Sequence, residues 1–98
     1  MTHDLTIRDC LYAVHKHYGI DMTEVDGYPQ TFGFKNKKVS MKLYRLPDGQ
    51  IRMQIIPLDD VINDKYADID TLNDLFRALE PWRQFIETKQ MSLFGWAA

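Results

Sequence analysis

The chain has 98 residues, 45% of them hydrophobic, and sets 12 lysines and arginines against 14 aspartates and glutamates. That length gives one domain with one modest core, and no apolar run reaches the roughly 18 residues a membrane-spanning helix needs. A single cysteine excludes an intramolecular disulfide and fits a reducing compartment, while the opening Met1-Thr2-His3-Asp4 lacks the basic and apolar stretches of a secretory signal, so a cytoplasmic protein is expected.

The first predicted element is a helix. Ile7, Cys10, Leu11, Val14 and Tyr18 recur at spacings of three and four, one stripe of an amphipathic helix. Thr6 and Asp9 are placed for a capping box, Leu5 and Cys10 for a hydrophobic staple, and Gly19 for a left-handed stop. Cys10 falls on the stripe and therefore reads as core, not as a nucleophile. Periodicity is weak over 20–30, where Asp26-Gly27 and Pro29 mark turns. Phe32 and Phe34 then alternate with Gly33 and Lys35 as a short strand does, and Asn36 suits a tight turn.

Leu46-Pro47-Asp48-Gly49 predicts a hairpin through a type I turn, with Gly49 in the left-handed position that follows. The turn sets Leu46 opposite Gln50, and hence Arg45 opposite Ile51, Leu43 opposite Met53, Met41 opposite Ile55 and Val39 opposite Pro57. One face then collects Val39, Met41, Leu43, Ile51, Met53 and Ile55. A slip of one residue would turn that set to water, so turn chemistry and alternation fix the same register. The other face carries Lys38, Ser40, Lys42, Tyr44, Arg52 and Gln54, with Arg52 placed to lie on the ring of Tyr44.

Beyond Pro57 the pattern reads as helical. Asp59 or Asp60 caps a short turn through Val61, Ile62 and Tyr66. Asp70 or Thr71 caps a helix with the stripe Leu72, Leu75, Phe76 and Leu79. Pro81 kinks or restarts it, and Trp82, Phe85 and Ile86 continue the stripe to about residue 90. The fold class expected is α+β: a three-stranded antiparallel meander packed against helices, in the order α-β-β-β-α-α. Residues 1–89 form this domain and 90–98 a tail.

Charge is uneven. Lys35, Lys37, Lys38, Lys42, Arg45 and Arg52 face one aspartate within 35–52, whereas residues 59–80 are rich in aspartate. Lys38, Lys42 and Arg52 around Tyr44 form a candidate nucleic-acid surface, with phosphate contacts and base stacking. Long polar side chains on a solvated sheet face are the plainer explanation. Asp64, Asp68 and Asp70 do not make a calcium loop, because Ile69 stands where that loop needs glycine and no closing glutamate follows. Helix capping accounts for the acids better. His15 and His17 point to different sides of one helix, so no metal site is expected, nor any cofactor. With no phosphate-cradling glycine loop and no nucleophile elbow, a non-catalytic protein is expected.

The tail carries the most specific pattern. Gln90-Met91-Ser92-Leu93-Phe94 resembles the peptide with which bacterial replication and repair proteins hold the DNA sliding clamp, and matches it at all five positions. The resemblance implies that Gln90, Leu93 and Phe94 are the main anchors, that Ser92 favours the bound shape and that Met91 touches the pocket rim. The residue types suit this. Leu93 and Phe94 supply apolar bulk, and the Gln90 amide both donates and accepts hydrogen bonds. The implied partner is the sliding clamp, and the implied role is a replication or repair accessory or a competitor of other clamp clients. A second reading folds Met91, Leu93, Phe94 and Trp96 onto the domain's own core or onto the interface of a homo-oligomer. The closing Ala97-Ala98 resembles the end of the bacterial rescue-tag degron.

Overall fold

The computed structural model describes residues 5–59 and 61–86. The first helix, α1, spans Ile7–Tyr18. Its capping box closes as the sequence demands: the Asp9 N–H donates to Thr6 Oγ1 and the Thr6 N–H donates to Asp9 Oδ2, each at 3.1 Å. Gly19 ends it at φ 74°, its N–H bonded to the His15 carbonyl at 2.9 Å. Ile7, Cys10, Ala13, Val14 and Tyr18 form the buried stripe.

Five strands follow: β1 (Thr23–Glu24), β2 (Phe32–Lys35), β3 (Val39–Arg45), β4 (Ile51–Pro57) and β5 (Lys65–Ile69). They form one antiparallel sheet in sequence order. The expected α+β class holds, but the meander has five strands where the sequence pattern gave three. The two additional strands flank the expected ones. β1 is two residues long and pairs Thr23 with Gly33 and Glu24 with Phe32, too short to show a period. β5 replaces the helical turn expected through Tyr66. Only a 3-10 turn, Val61–Asn63, precedes it.

The central hairpin has the expected register throughout, from Arg45 opposite Ile51 to Val39 opposite Pro57. Leu46 and Gln50 close it at 2.7 Å, Gly49 takes φ 96°, and Asp48 Oδ1 accepts the Gln50 N–H at 2.9 Å. The six inward residues of β3 and β4 are at most 3% exposed. Asn36 serves the β2–β3 turn: its Oδ1 accepts the N–H groups of Lys38 and Val39 at 2.8 and 2.9 Å.

After β5 come α2 (Leu72–Leu79), a 3-10 turn (Glu80–Trp82) and α3 (Arg83–Ile86). Thr71 caps α2 in a second capping box with Asp74. Pro81 sits where its missing N–H costs nothing, at the start of the 3-10 turn, and so restarts the helix. Leu75, Leu79 and Ile86 enter the same buried cluster as the α1 stripe and the inner sheet face. The molecule thus has two layers, with helices on one sheet face and the other face half-buried or exposed. No helix among the described residues is long and apolar enough to cross a membrane.

Candidate functional site

Alternation along the paired strands puts Lys42, Gln54 and Tyr66 in one row of the outer sheet face, and Tyr44, Arg52 and Asp68 in the next. β5 therefore lays acids beside the basic hairpin. Arg52 Nε donates to Asp68 Oδ1 at 2.8 Å. That bond, with the Tyr44 hydroxyl as a lesser influence, favours the protonated guanidinium still further. Tyr44 and Arg52 form the cross-strand pair expected, and Asp68, carried by the strand the sequence pattern hid, also binds the guanidinium. Gln54 Nε2 donates to Asp64 Oδ2 and to Tyr66 Oη, both at 2.9 Å. The hydrogen bonds from Gln54 and then Tyr66 hold the Asp64 carboxyl below its ordinary range, and Asp64 in turn raises the Tyr66 phenol.

Of the four residues singled out as a nucleic-acid surface, Lys42, Tyr44 and Arg52 share this outer face. Lys38 does not join them, because its Nζ lies 5.5 Å from the centre of the Phe85 ring on α3. Lys35 takes its place, paired with Ser40 in the row beyond Lys42. The face grades from lysines on β2 and β3 to aspartates on and beside β5.

A second feature lies at the β5 edge of the sheet. Ala67 of β5 and Ala78 of α2 are small, and the gap they leave is bounded by Ile55, Lys65, Pro81 and Trp82. The result is an apolar cleft of about 310 Å³. A second hollow, lined by Pro57, Asp59 and Asn63, shares Lys65 and Trp82 with it and continues the groove. Trp82 is half-buried, and its ring lies 5.9 Å from that of Phe85. The sequence pattern did not reveal this groove. Two alanines and a proline give no signal until β5 and α2 are known to adjoin.

A polar cluster ties α1 to the last helices. Tyr18 Oη donates to Glu80 Oε2 at 3.2 Å, Arg83 Nη2 donates to the same oxygen at 2.7 Å, and the guanidinium lies 5.1 Å from the Tyr18 ring centre. His17 Nε2 lies 3.1 Å from Arg83 Nη2, and its ring centre 4.6 Å from that of Phe76. Arg83, then Tyr18, hold the Glu80 carboxyl below its usual range. The bonds from Tyr18 and Arg83 to Glu80 and the Arg83–His17 contact fasten α1 to the segment after α2.

Cys10 is fully buried. Burial, reinforced by Asp9, pushes its thiol up to about 11, so the nucleophilic thiolate is suppressed at neutral pH. Among the described residues no three histidine, cysteine or acidic side chains converge to hold a metal ion. Gln90, Met91, Ser92, Leu93 and Phe94 lie outside the described residues.

Neither protein-family models, nor curated proteins, nor solved structures give a match to the chain.

Proposed function

We propose that this chain docks onto the bacterial DNA sliding clamp through Gln90–Phe94, and that it acts without catalysis as a replication or repair accessory or as a competitor of other clamp clients. The observation that carries the reading is the five-for-five match of Gln90-Met91-Ser92-Leu93-Phe94 to the clamp-binding pattern. The architecture is compatible with it. Among the described residues the buried core runs from Ile7 to Ile86, and the motif begins four residues beyond Ile86 in sequence. Leu93 and Phe94 fill an apolar pocket on the clamp, and the Gln90 amide sets the direction of the peptide beside it.

A short peptide that orders on binding has modest affinity, on the order of micromolar. Repeated sites on a ring raise the effective strength. Titration of purified clamp with the full chain and with the Leu93→Ala/Phe94→Ala variant tests the proposal. Saturable binding lost in the variant supports it. Equal binding by both, or none by either, removes it.

A further inference from the structure

We infer that the Trp82 groove is the docking site, within the same molecule, for Met91–Trp96, so that the clamp-binding motif is held in reserve against its own domain. The inference rests on the clamp reading for its consequence, though not for the docking itself.

The groove asks for an apolar occupant. It is lined by Ile55, Lys65, Tyr66, Ala67, Ala78, Pro81 and Trp82, a predominantly apolar set. At about 310 Å³ it has room for one or two large apolar side chains, the low end of the size range of ligand pockets. It also lies along an open sheet edge. β5 is the last strand of the sheet, and no strand among the described residues pairs with its outer side. Backbone N–H and C=O groups there can bond to an extended segment laid along them.

The chain supplies such a segment at the right distance. Within Met91–Trp96, Met91, Leu93, Phe94 and Trp96 are large and apolar. Leu93 follows Ile86 by seven residues, a reach of up to about 25 Å. Trp82, the groove wall, precedes Ile86 by four residues, about one helical turn. The segment therefore has ample length to double back past Phe85. A short tether also supplies an effective concentration on the order of millimolar. A groove with only millimolar intrinsic affinity is then about half occupied, and an external segment of the same intrinsic affinity would need a concentration on the order of millimolar to match it.

Leu93 and Phe94 cannot fill the groove and a clamp pocket together. Docking thus lowers apparent clamp affinity by the fraction of molecules that are closed. The tail alternates between reserve and engagement, and clamp binding releases the groove.

Two measurements on the full chain decide this. In amide and indole NMR spectra at micromolar concentration, Leu93→Ala/Phe94→Ala should shift the Trp82 indole and the Ala67 and Ala78 amides relative to the unaltered chain. Ala78→Arg, which fills the cleft from a helix surface, should remove most of that difference. Shifts confined elsewhere overturn the inference. So do shifts that grow with protein concentration, which would place the tail on a second copy. In the second measurement, Ala78→Arg should bind purified clamp about 2- to 10-fold tighter than the unaltered chain. Equal affinities overturn the reserve mechanism. Should no form bind the clamp, the clamp reading falls while the spectra still decide the docking. Trp82→Ala opens the groove from its other wall, so a fold defect in one variant leaves the other to report.

Discussion

Arg52 and Asp68 face each other across β4 and β5, joined by an Nε–Oδ1 hydrogen bond of 2.8 Å. That bond changes the character of the outer sheet face. A cation that the hairpin alone offers to phosphate is already paired with a carboxylate, and the Asp64–Gln54–Tyr66 chain adds a second acid in the neighbouring row. Both partners of the pair are partly exposed, 33% and 53%. Asp68→Ala should therefore cost little, with at most a slight shift in the chemical-denaturation midpoint. A loss well above that would show that the pair is shielded from solvent.

The second capping box predicts a measurable stability loss. Thr71 Oγ1 accepts the Asp74 N–H at 3.2 Å, and Asp74 Oδ2 accepts the N–H groups of Asp70 and Thr71 at 3.0 and 3.1 Å. Thr71→Ala should destabilise the fold by about 1 kcal/mol, a drop of roughly 4–8 °C in Tm for a domain this size. An unchanged Tm would mean that α2 is held by packing of Leu75 and Leu79 alone.

Acid stability follows from the same carboxylates. The Asp70 and Thr71 N–H groups hold Asp74 below its ordinary value of 3.8, Gln54 and Tyr66 do the same for Asp64, and Arg83 holds Glu80 below 4.5. Each folded-state pKa lies below the unfolded one. The stabilisation is therefore complete above the unfolded values and is lost as pH falls through the folded ones. Tm should hold steady from neutral pH to about 5 and fall steeply below about 4. Asp74→Asn should flatten part of that fall, and an unaltered slope would assign it to other groups.

The central hairpin and the Thr6–Asp9 capping box were legible because they are local. Turn residues, caps and alternation all lie within a few positions of one another, and in the hairpin they agree on one register. β5 was not legible. By register Lys65, Ala67 and Ile69 share its inward side, so only Ile69 carries apolar bulk, and its outward residues include Asp68, a poor strand former. Tyr66 with Val61 and Ile62 then mimicked a helical spacing. The missing strand carried the rest with it: the partner of Arg52, the partner of Gln54 and one wall of the Trp82 groove all belong to β5 or its approach. The Lys38 side chain departed from the expected face for a similar reason, since Phe85, the ring it lies over, is 47 residues away in sequence.

Asn36 offers a test of how the last helix is fastened. Its Oδ1 serves the β2–β3 turn, while Nδ2 donates to the Phe85 carbonyl at 2.8 Å. Asn36→Asp keeps the acceptor and removes the donor; Asn36→Ala removes both. Losses of about 1 kcal/mol per hydrogen bond are expected, so Ala should be the more damaging. Equal losses would show that the tie to α3 dominates and the turn bonds are nearly neutral.

Cys10 should be silent until the fold opens. The thiol is fully buried against the α1 stripe and the core, and burial, then Asp9, lift it from 9.0 to about 11. Thiolate is the reactive form, so both access and ionisation protect it. At pH 8 a disulfide reagent should label the native protein far more slowly than the urea-unfolded protein, with the native rate tracking global unfolding. The linkage has the opposite sign to that of the carboxylates. Here the folded pKa exceeds the unfolded one for a group whose neutral form is favoured, so the stabilisation is full below about 9 and is lost as pH rises towards 11. Cys10→Ser would place a hydroxyl among apolar side chains at a cost of about 1–3 kcal/mol. Cys10→Ala should cost less than Ser if polarity dominates there, and more if the volume of the sulfur does.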